Sequence, residues 1–319
     1  MHDQATLENL ATVLRRDRGL LSKQDIHKAC QELELNGNSV GAVGDDCAVI
    51  EEKDGYTLYA IEGFINEFVE KDPWFAGWCG VMVNLSDILA MGGRPTAVVN
   101  AIWSQNEDQG REILSGMRAA SEVYNIPIVG GHSNFGTSQN QLAVSILGRA
   151  KKLLTSFDAK PGDVLMSAVD MRGEYRAPFD NWQAALDAPS ERLRQDMELL
   201  PTLAEKGLCQ AAKDISQGGI VGTALMLAET SNVAIDIDIN AIKCPKDVGL
   251  LRWIRSFPSF GFLLSISPEN VDAVISHFES RDITCATIGK VSEGSHVRIN
   301  NGAHTAEIWD YVKEPYLGL

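Results

Sequence analysis

Four short segments of this 319-residue chain combine glycine with oxygen-bearing side chains. In Gly44-Asp45-Asp46, two adjacent carboxylates follow a residue that permits close approach, a source of hard oxygen ligands for a divalent cation. Taken alone, the same triplet is also an acidic turn. Asn84 and Asp87 stand three residues apart, so on a helix they share one face. That face adjoins an apolar stripe, where polar side chains are partly shielded and need partners, whether ligands or neighbours beside the core. In Gly130-Gly131-His132-Ser133, the glycines let backbone N–H groups point at an anion while the two side chains add donors, although paired glycines also simply turn a chain. Asp214-Ile215-Ser216-Gln217-Gly218-Gly219 leads into a helix whose N-terminus could receive an anion, with Asp214 holding a cation against it. The alternative there is an ordinary Ser216 N-cap with a tight glycine entry. A fifth segment, Arg172 to Phe179, carries Arg172 and Arg176, which could hold an anionic acceptor bidentately or form a solvated turn.

These residues need elements to position them. Ser22 with Asp25 resembles a capping box and predicts a helix closed by the Asn36-Gly37-Asn38 turn. Cys47 to Glu51 and Tyr56 to Ile61 read as a hairpin around Lys53-Asp54-Gly55. Asp72-Pro73 opens a long helix as N-cap and N1, and Gly92-Gly93 ends it. A strand at Thr96 to Trp103, a helix at Glu107 to Tyr124 and strands at Ile126 to Val129 and Gln141 to Gly148 complete the first half. After the turn-rich stretch to Asp163 the pattern restarts with a strand at Val164 to Val169. Helices near Ser190 to Lys206, Gly219 to Glu229 and after Pro268 follow, with strands near Val233 to Ile239, Phe260 to Ile266 and Thr284 to Gly289. Two mixed domains are expected, over 1–150 and 151–319. Asp236 and Asp238 alternate with isoleucines and read as the solvated face of a strand, and Trp253 with Arg252 and Arg255 reads as packing.

Composition narrows the function. A net charge of −15 repels nucleic acid and anionic lipid, and an anion bound here would recruit a cation to invert the local field. The six cysteines show no CxxC spacing, there is no HExxH, and nothing near Met1 resembles a signal peptide, so reducing cytosol is the expected compartment. No apolar run approaches the roughly 20 residues of a membrane span. P-loop, GxGxxG and GxSxG signatures are absent.

The four polar segments, in this order and spacing, resemble the aminoimidazole ribonucleotide (AIR) synthetase-like superfamily, which includes thiamine-monophosphate kinase, selenophosphate synthetase and the hydrogenase-maturation carbamoyl dehydratase. Gly44 to Ile50 is similar to its GDDAAV segment, Val83 to Pro95 to its NLSDLAAMGA-P helix, Lys160 to Asp163 to its second-domain opening, Asp214-Ile215-Ser216 to its DVS, and Ile288 to Val291 to its IGxV strand. The resemblance implies a two-domain α+β fold whose N-terminal domains pair into a dimeric β-barrel, with ATP and Mg²⁺ as cofactors. Carried over by position, Asp45, Asp46, Asp87 and Asp214 become the metal-phosphate set, and Gly44, Asn84, Gly130, Gly131, Ser133, Ser216 and Gly218 surround the nucleotide.

Departures from the family pattern matter. Glu62 stands where relatives have an aspartate, as a longer-armed metal ligand or a strand-end carboxylate. His132 and Gln217 replace two aspartates of thiamine-monophosphate kinase, which argues against that activity. The N-terminal Cys or Sec of selenophosphate synthetase and the cysteine-bearing tail of the carbamoyl dehydratase are absent. The expected function is ATP-dependent phosphoryl transfer to a small acceptor by a cytoplasmic homodimer, with Asp214 and His132 as catalytic candidates and Arg172 and Arg176 at the acceptor. A silent nucleotide-binding subunit, a thiamine-monophosphate kinase-like enzyme and a metal-dependent phosphohydrolase are the alternatives.

Overall fold

The computed structural model describes residues 4–35 and 43–318. The Asn36-Gly37-Asn38 turn lies outside the described residues, as do Gly41 and Ala42. Instead of one helix from Ser22, the chain starts with α1 (Gln4–Arg15) and α2 (Arg18–Leu21), and Ser22 opens only a 3₁₀ turn before α3 (Asp25–Glu32). The sequence pattern misses α1 because its buried stripe is thin: Leu7, Ala11 and Leu14 in a polar background. No side chain caps the Ser22 turn, so the expected capping box does not form.

Contacts divide the chain into two compact units that differ from the contiguous halves 1–150 and 151–319. The smaller comprises Asp46–Leu153 with Asp187–Thr202, and the larger the remainder.

In the smaller unit, β1 (Ala48–Glu52) and β2 (Gly55–Gly63) form the expected hairpin, with Gly55 at a left-handed φ of 127°. After a short α4 (Asn66–Lys71), Asp72 caps α5 (Pro73–Ala90) by accepting the Phe75 N–H, and Pro73 occupies the first turn. Gly92, with φ of 71°, ends that helix, and the Gly93 N–H reaches back to the Ile88 carbonyl. β3 (Arg94–Ser104), α6 (Glu107–Tyr124) and β4 (Ile128–Phe135) form a parallel crossover, and β5 (Gln141–Ala150) completes a sheet of order β1-β2-β5-β3-β4. α5 and α6 meet at two glycines: a Cβ on Gly77 would lie 2.0 Å from the Ile113 carbonyl oxygen, and one on Gly116 1.8 Å from that of Trp74. Backbone thus touches backbone. The expected single helix from Ser190 is two, α7 (Ser190–Asp196) and α8 (Leu199–Lys206). Arg194 on α7 donates to the carbonyls of Glu122 and Val123 at 2.6 and 2.8 Å, satisfying the C-terminal end of α6.

The larger unit is built on a seven-stranded sheet. Its strands are β6 (Val164–Val169), β9 (Ala211–Asp214), β10 (Ala234–Asp238), β12 (Gly261–Ile266), β13 (Thr284–Ser292), β14 (His296–Asn300) and β15 (Thr305–Asp310), in the order β15-β14-β10-β13-β6-β12-β9. The short β7 (Glu174–Tyr175), β8 (Asn181–Gln183) and β11 (Phe257–Pro258) make a separate three-stranded sheet. Helix α9 (Gly219–Ser231) is buried along Gly219 to Ala228, which explains its near-absence of polar residues; α10 (Leu250–Ile254) and α11 (Val271–Glu279) complete the unit. The chain end is held in place: the Glu229 carboxylate accepts the backbone N–H groups of Tyr316, Leu317 and Gly318, and the buried Tyr316 hydroxyl donates to Leu20.

All six cysteines are free thiols, and only Cys244 is not fully buried. Burial pushes the Cys209 and Cys285 thiols up to about 12. A thiol reagent near pH 8 is therefore expected to label Cys244 first in the native protein and all six in denaturant, read by intact mass; native labelling of Cys209 or Cys285 would contradict this packing. Among the described residues, no helix is long and apolar enough to cross a membrane.

Candidate functional site

In the smaller unit the polar side chains line the layer between sheet and helices. A Cβ on Gly80 would sit 2.8 Å from Val144 on β5, so the face of α5 that carries Gly80, Asn84 and Asp87 is turned to the sheet. Asn84 is wholly buried and Asp87 is 5% exposed. The Asn84 amide donates back to the Gly80 carbonyl at 2.8 Å, while its Oδ1 is a buried acceptor without a hydrogen-bond partner among the described residues. Glu62 lies opposite Val144 in the β2–β5 register, hence on the same helix-covered face. Asp46 precedes β1 and is half-buried.

The Gly130-Gly131-His132-Ser133 segment is not the loop that its glycines suggest. β4 continues through it to Phe135, parallel to β3, with Gly131 opposite Asn100 and His132 opposite Ala101. The glycine is required by a close approach rather than a turn: a Cβ at 131 would fall 2.2 Å from Asn100 Oδ1. β4 is the sheet's edge and is exposed from Val129 to Phe135, so its outer backbone groups can meet a ligand. The His132 ring lies 5.9 Å from that of Trp103, on the face of the sheet away from α5. Asn100 was missed by the sequence reading. Its signal was available, a polar residue in the alternation Val98, Asn100, Ile102 that faces the helices.

In the larger unit, Asp45 and Asp214 are tied to opposite ends of α9. The Asp45 carboxylate accepts the Ser156 N–H at 2.9 Å, and the Ser156 carbonyl accepts the hydroxyls of Thr230 and Ser231 at the C-terminal end of α9. Gly44, with φ of 114°, is joined to the same Ser156 through its carbonyl. Asp214 ends β9, 4% exposed, and its carbonyl accepts the Thr223 hydroxyl in the opening turns of α9. Thr223 and Thr230 are seven residues apart, about 10 Å along a helix axis.

At the N-terminus of α9 the expected Ser216 cap does not form. Gly218, not Ser216, is the N-cap, and no side chain bonds the first turn. Gly219 has φ of 60°, and a Cβ there would lie 2.0 Å from the Ile254 carbonyl oxygen, so on that side the turn packs against the chain's own backbone. Ser216 is half-buried, and its carbonyl accepts the Gly219 N–H.

Arg172 binds its own neighbour rather than presenting a fork to an acceptor. Its Nε and Nη2 meet the two oxygens of Asp170 at 2.8 and 3.1 Å, and its backbone N–H adds a third bond. Asp170 is 2% exposed, and a carboxylate so buried demands such a partner. Arg176 follows β7, and its N–H donates to Asn181. Tyr175, Trp182 and Trp253 pack edge to face with Arg252 over the Tyr175 ring, confirming the packing role read for Trp253.

Among the described residues, no three His, Cys, Asp or Glu side chains form a ready-made metal cage. The donor chemistry nevertheless suits magnesium. The candidates are all oxygens, Asn84 Oδ1 is an orphaned buried acceptor, and Mg²⁺ characteristically uses one or two carboxylates plus substrate phosphates.

Two α+β units, with acidic and amide oxygens at their element ends, define the class of protein, and comparison with known proteins supplies the family. The chain belongs to the AIR synthase related proteins: residues 44–150 match the family's N-terminal domain and 161–300 its C-terminal domain. It is 45% identical to an uncharacterized protein of Synechocystis sp. over 98% of both chains. It is 28% identical to thiamine-monophosphate kinase of Pyrococcus abyssi, covering 85% of this chain and 91% of that one. T. maritima PurL complexed with ADP superimposes with a TM-score of 0.75 at 18% identity, over 98% of this chain but only 54% of PurL, a likeness of fold.

Proposed function

We propose that this chain binds Mg²⁺-ATP in the cytoplasm and transfers a phosphoryl group to a small acceptor. The observation that carries the reading is the buried pair on α5: Asn84 keeps an unsatisfied oxygen one helical turn from the Asp87 carboxylate, where apolar side chains would be cheaper. Family membership over both domains, a kinase among the relatives and a nucleotide-bound structural neighbour point the same way.

In this reading Asp87, with Asp46 and Glu62, holds the cation in the smaller unit, where Asn84, Gly130, Gly131 and Ser133 line the nucleotide; Asp214 is the larger unit's own candidate cation ligand, and Ser216 and Gly218 its candidates for phosphate. Magnesium would supply the positive charge that lets carboxylates face phosphate oxygens. His132 donates to a phosphate oxygen from the exposed edge strand, and Asp214 orients the acceptor. Asp45 and Gly44 serve as an anchor on Ser156, Arg172 is withdrawn to Asp170, and Arg176 is the acceptor-side candidate. Titration calorimetry with the non-hydrolysable analogue AMPPCP tests the reading. Binding with magnesium and its loss in EDTA are expected; no binding in magnesium sinks it.

The homodimer belongs to the same proposal. Ile50, Tyr59, Ile61, Val99 and Leu147, each between 39% and 66% exposed, share the sheet face opposite α5, a continuous apolar surface that a second copy would cover. Ile61→Asp is expected to convert the dimer to monomer in light scattering. A wild-type monomer would refute the pairing.

A further inference from the structure

The Asp214 to Gly219 loop is held by contacts that its own sequence does not reveal. On one flank, the Gln217 carbonyl oxygen is so close to Gly19 that a Cβ there would lie 2.1 Å from it. On the other, Gly219 rests against the Ile254 carbonyl and the Arg255 Cα, at 2.0 and 2.8 Å from a would-be Cβ. Neither contact involves a flexible side chain, so the loop is seated between two stretches of backbone some 235 residues apart in sequence.

One ion pair joins those two stretches. Asp17 caps α2 by accepting the Gly19 N–H at 2.9 Å through one carboxylate oxygen, and its other oxygen accepts from Arg255 Nε. The Asp17 side chain is 12% exposed, shielded enough for the bond to hold its geometry. Fixing Asp17 on Arg255 therefore fixes Gly19 relative to Gly219, and with them the width of the slot in which Gln217, Gly218 and Gly219 sit.

We propose that Asp17 and Arg255 are positioning residues for the phosphate site, acting through the seating of the Asp214 to Gly219 loop; this rests on the nucleotide-binding reading above. A pair behind a metal or phosphate site that orients the residues in front of it typically changes affinity by about 10- to 100-fold when broken.

Asp17→Asn and Arg255→Gln, in the full chain, test it with two readouts at 25 °C. Hydrogen exchange followed by mass spectrometry should show faster exchange in peptides covering 214–220 than in wild type, with peptides of β13 and β14 unchanged. Affinity for Mg²⁺-AMPPCP should fall about tenfold or more in both variants. The exchanged pair Asp17→Arg with Arg255→Asp should recover part of both effects, which a loss of global stability alone would not do. Unchanged exchange in 214–220 overturns the positioning role whatever the nucleotide result. Faster exchange with unaltered affinity overturns its link to the phosphate site. If wild type itself binds no Mg²⁺-AMPPCP, the nucleotide reading and the assignment of this loop to phosphate both fail, and the exchange data alone decide whether the pair seats the loop.

Discussion

Replacing Asp87 by asparagine is expected to weaken Mg²⁺-AMPPCP binding by about 100-fold or more while leaving any magnesium-independent binding unchanged. The side chain is almost wholly buried on the sheet-facing side of α5, and asparagine keeps its volume, so helix packing is retained. What disappears is the negative charge, and truncating one partner of a buried charge pair typically costs about 2–5 kcal/mol of binding. Calorimetry in magnesium and in EDTA separates the two contributions, and circular dichroism checks the fold. Binding within about threefold of wild type would remove Asp87 from the metal-phosphate set. Asn84→Asp offers the complementary case, because it puts a second charge beside the first and should raise the preference for a divalent ion only if the two oxygens share it.

Gly116→Ala should be the most damaging small substitution in the protein. Its new methyl would lie 1.8 Å from the Trp74 carbonyl oxygen and 2.9 Å from the Trp78 nitrogen, so neither obstacle can rotate away. Relief requires α5 and α6, both 18 residues long, to separate along their contact. Overpacking of this kind costs about 3 kcal/mol or more, which for a unit of this size corresponds to a fall in Tm of roughly 10 °C. Gly77→Ala repeats the experiment from the other helix, whereas Gly63→Ala, with nothing within 4 Å, should cost little. A Gly116→Ala protein with wild-type Tm would show that the helices lie farther apart than described. Because Asn84 and Asp87 lie two to three turns beyond Gly77 on α5, nucleotide affinity should suffer with stability.

Legibility from sequence followed the strength of local signals. Asp72-Pro73 and Gly92-Gly93 bracket α5 as expected, and α6 and β6 have the anticipated bounds, because caps and periodicity agree there. β9 was not legible: Ala211-Ala212-Lys213-Asp214 is buried at every position and offers neither alternation nor β-branching. The extent of β4 was hidden by its glycines, of which Gly131 is held by the side chain and carbonyl of Asn100 on the neighbouring strand. The site shows the same division. Which residues carry oxygens could be read directly, but not that Asp45 is engaged with Ser156 or that Asp170 claims Arg172, since such partners are chosen by tertiary packing.

The bonds from Arg194 to the end of α6 bear on how such a protein can be taken apart or recombined. Asp187–Thr202 is encoded in the second half of the chain but completes the unit formed by Asp46–Leu153. A fragment cut after residue 150 would leave the Glu122 and Val123 carbonyls without their guanidinium donor. Genetic dissection, fusion or swapping at the apparent midpoint therefore separates a folded module from its own brace, and a transferable cassette must carry that later stretch, in cis or as an added peptide.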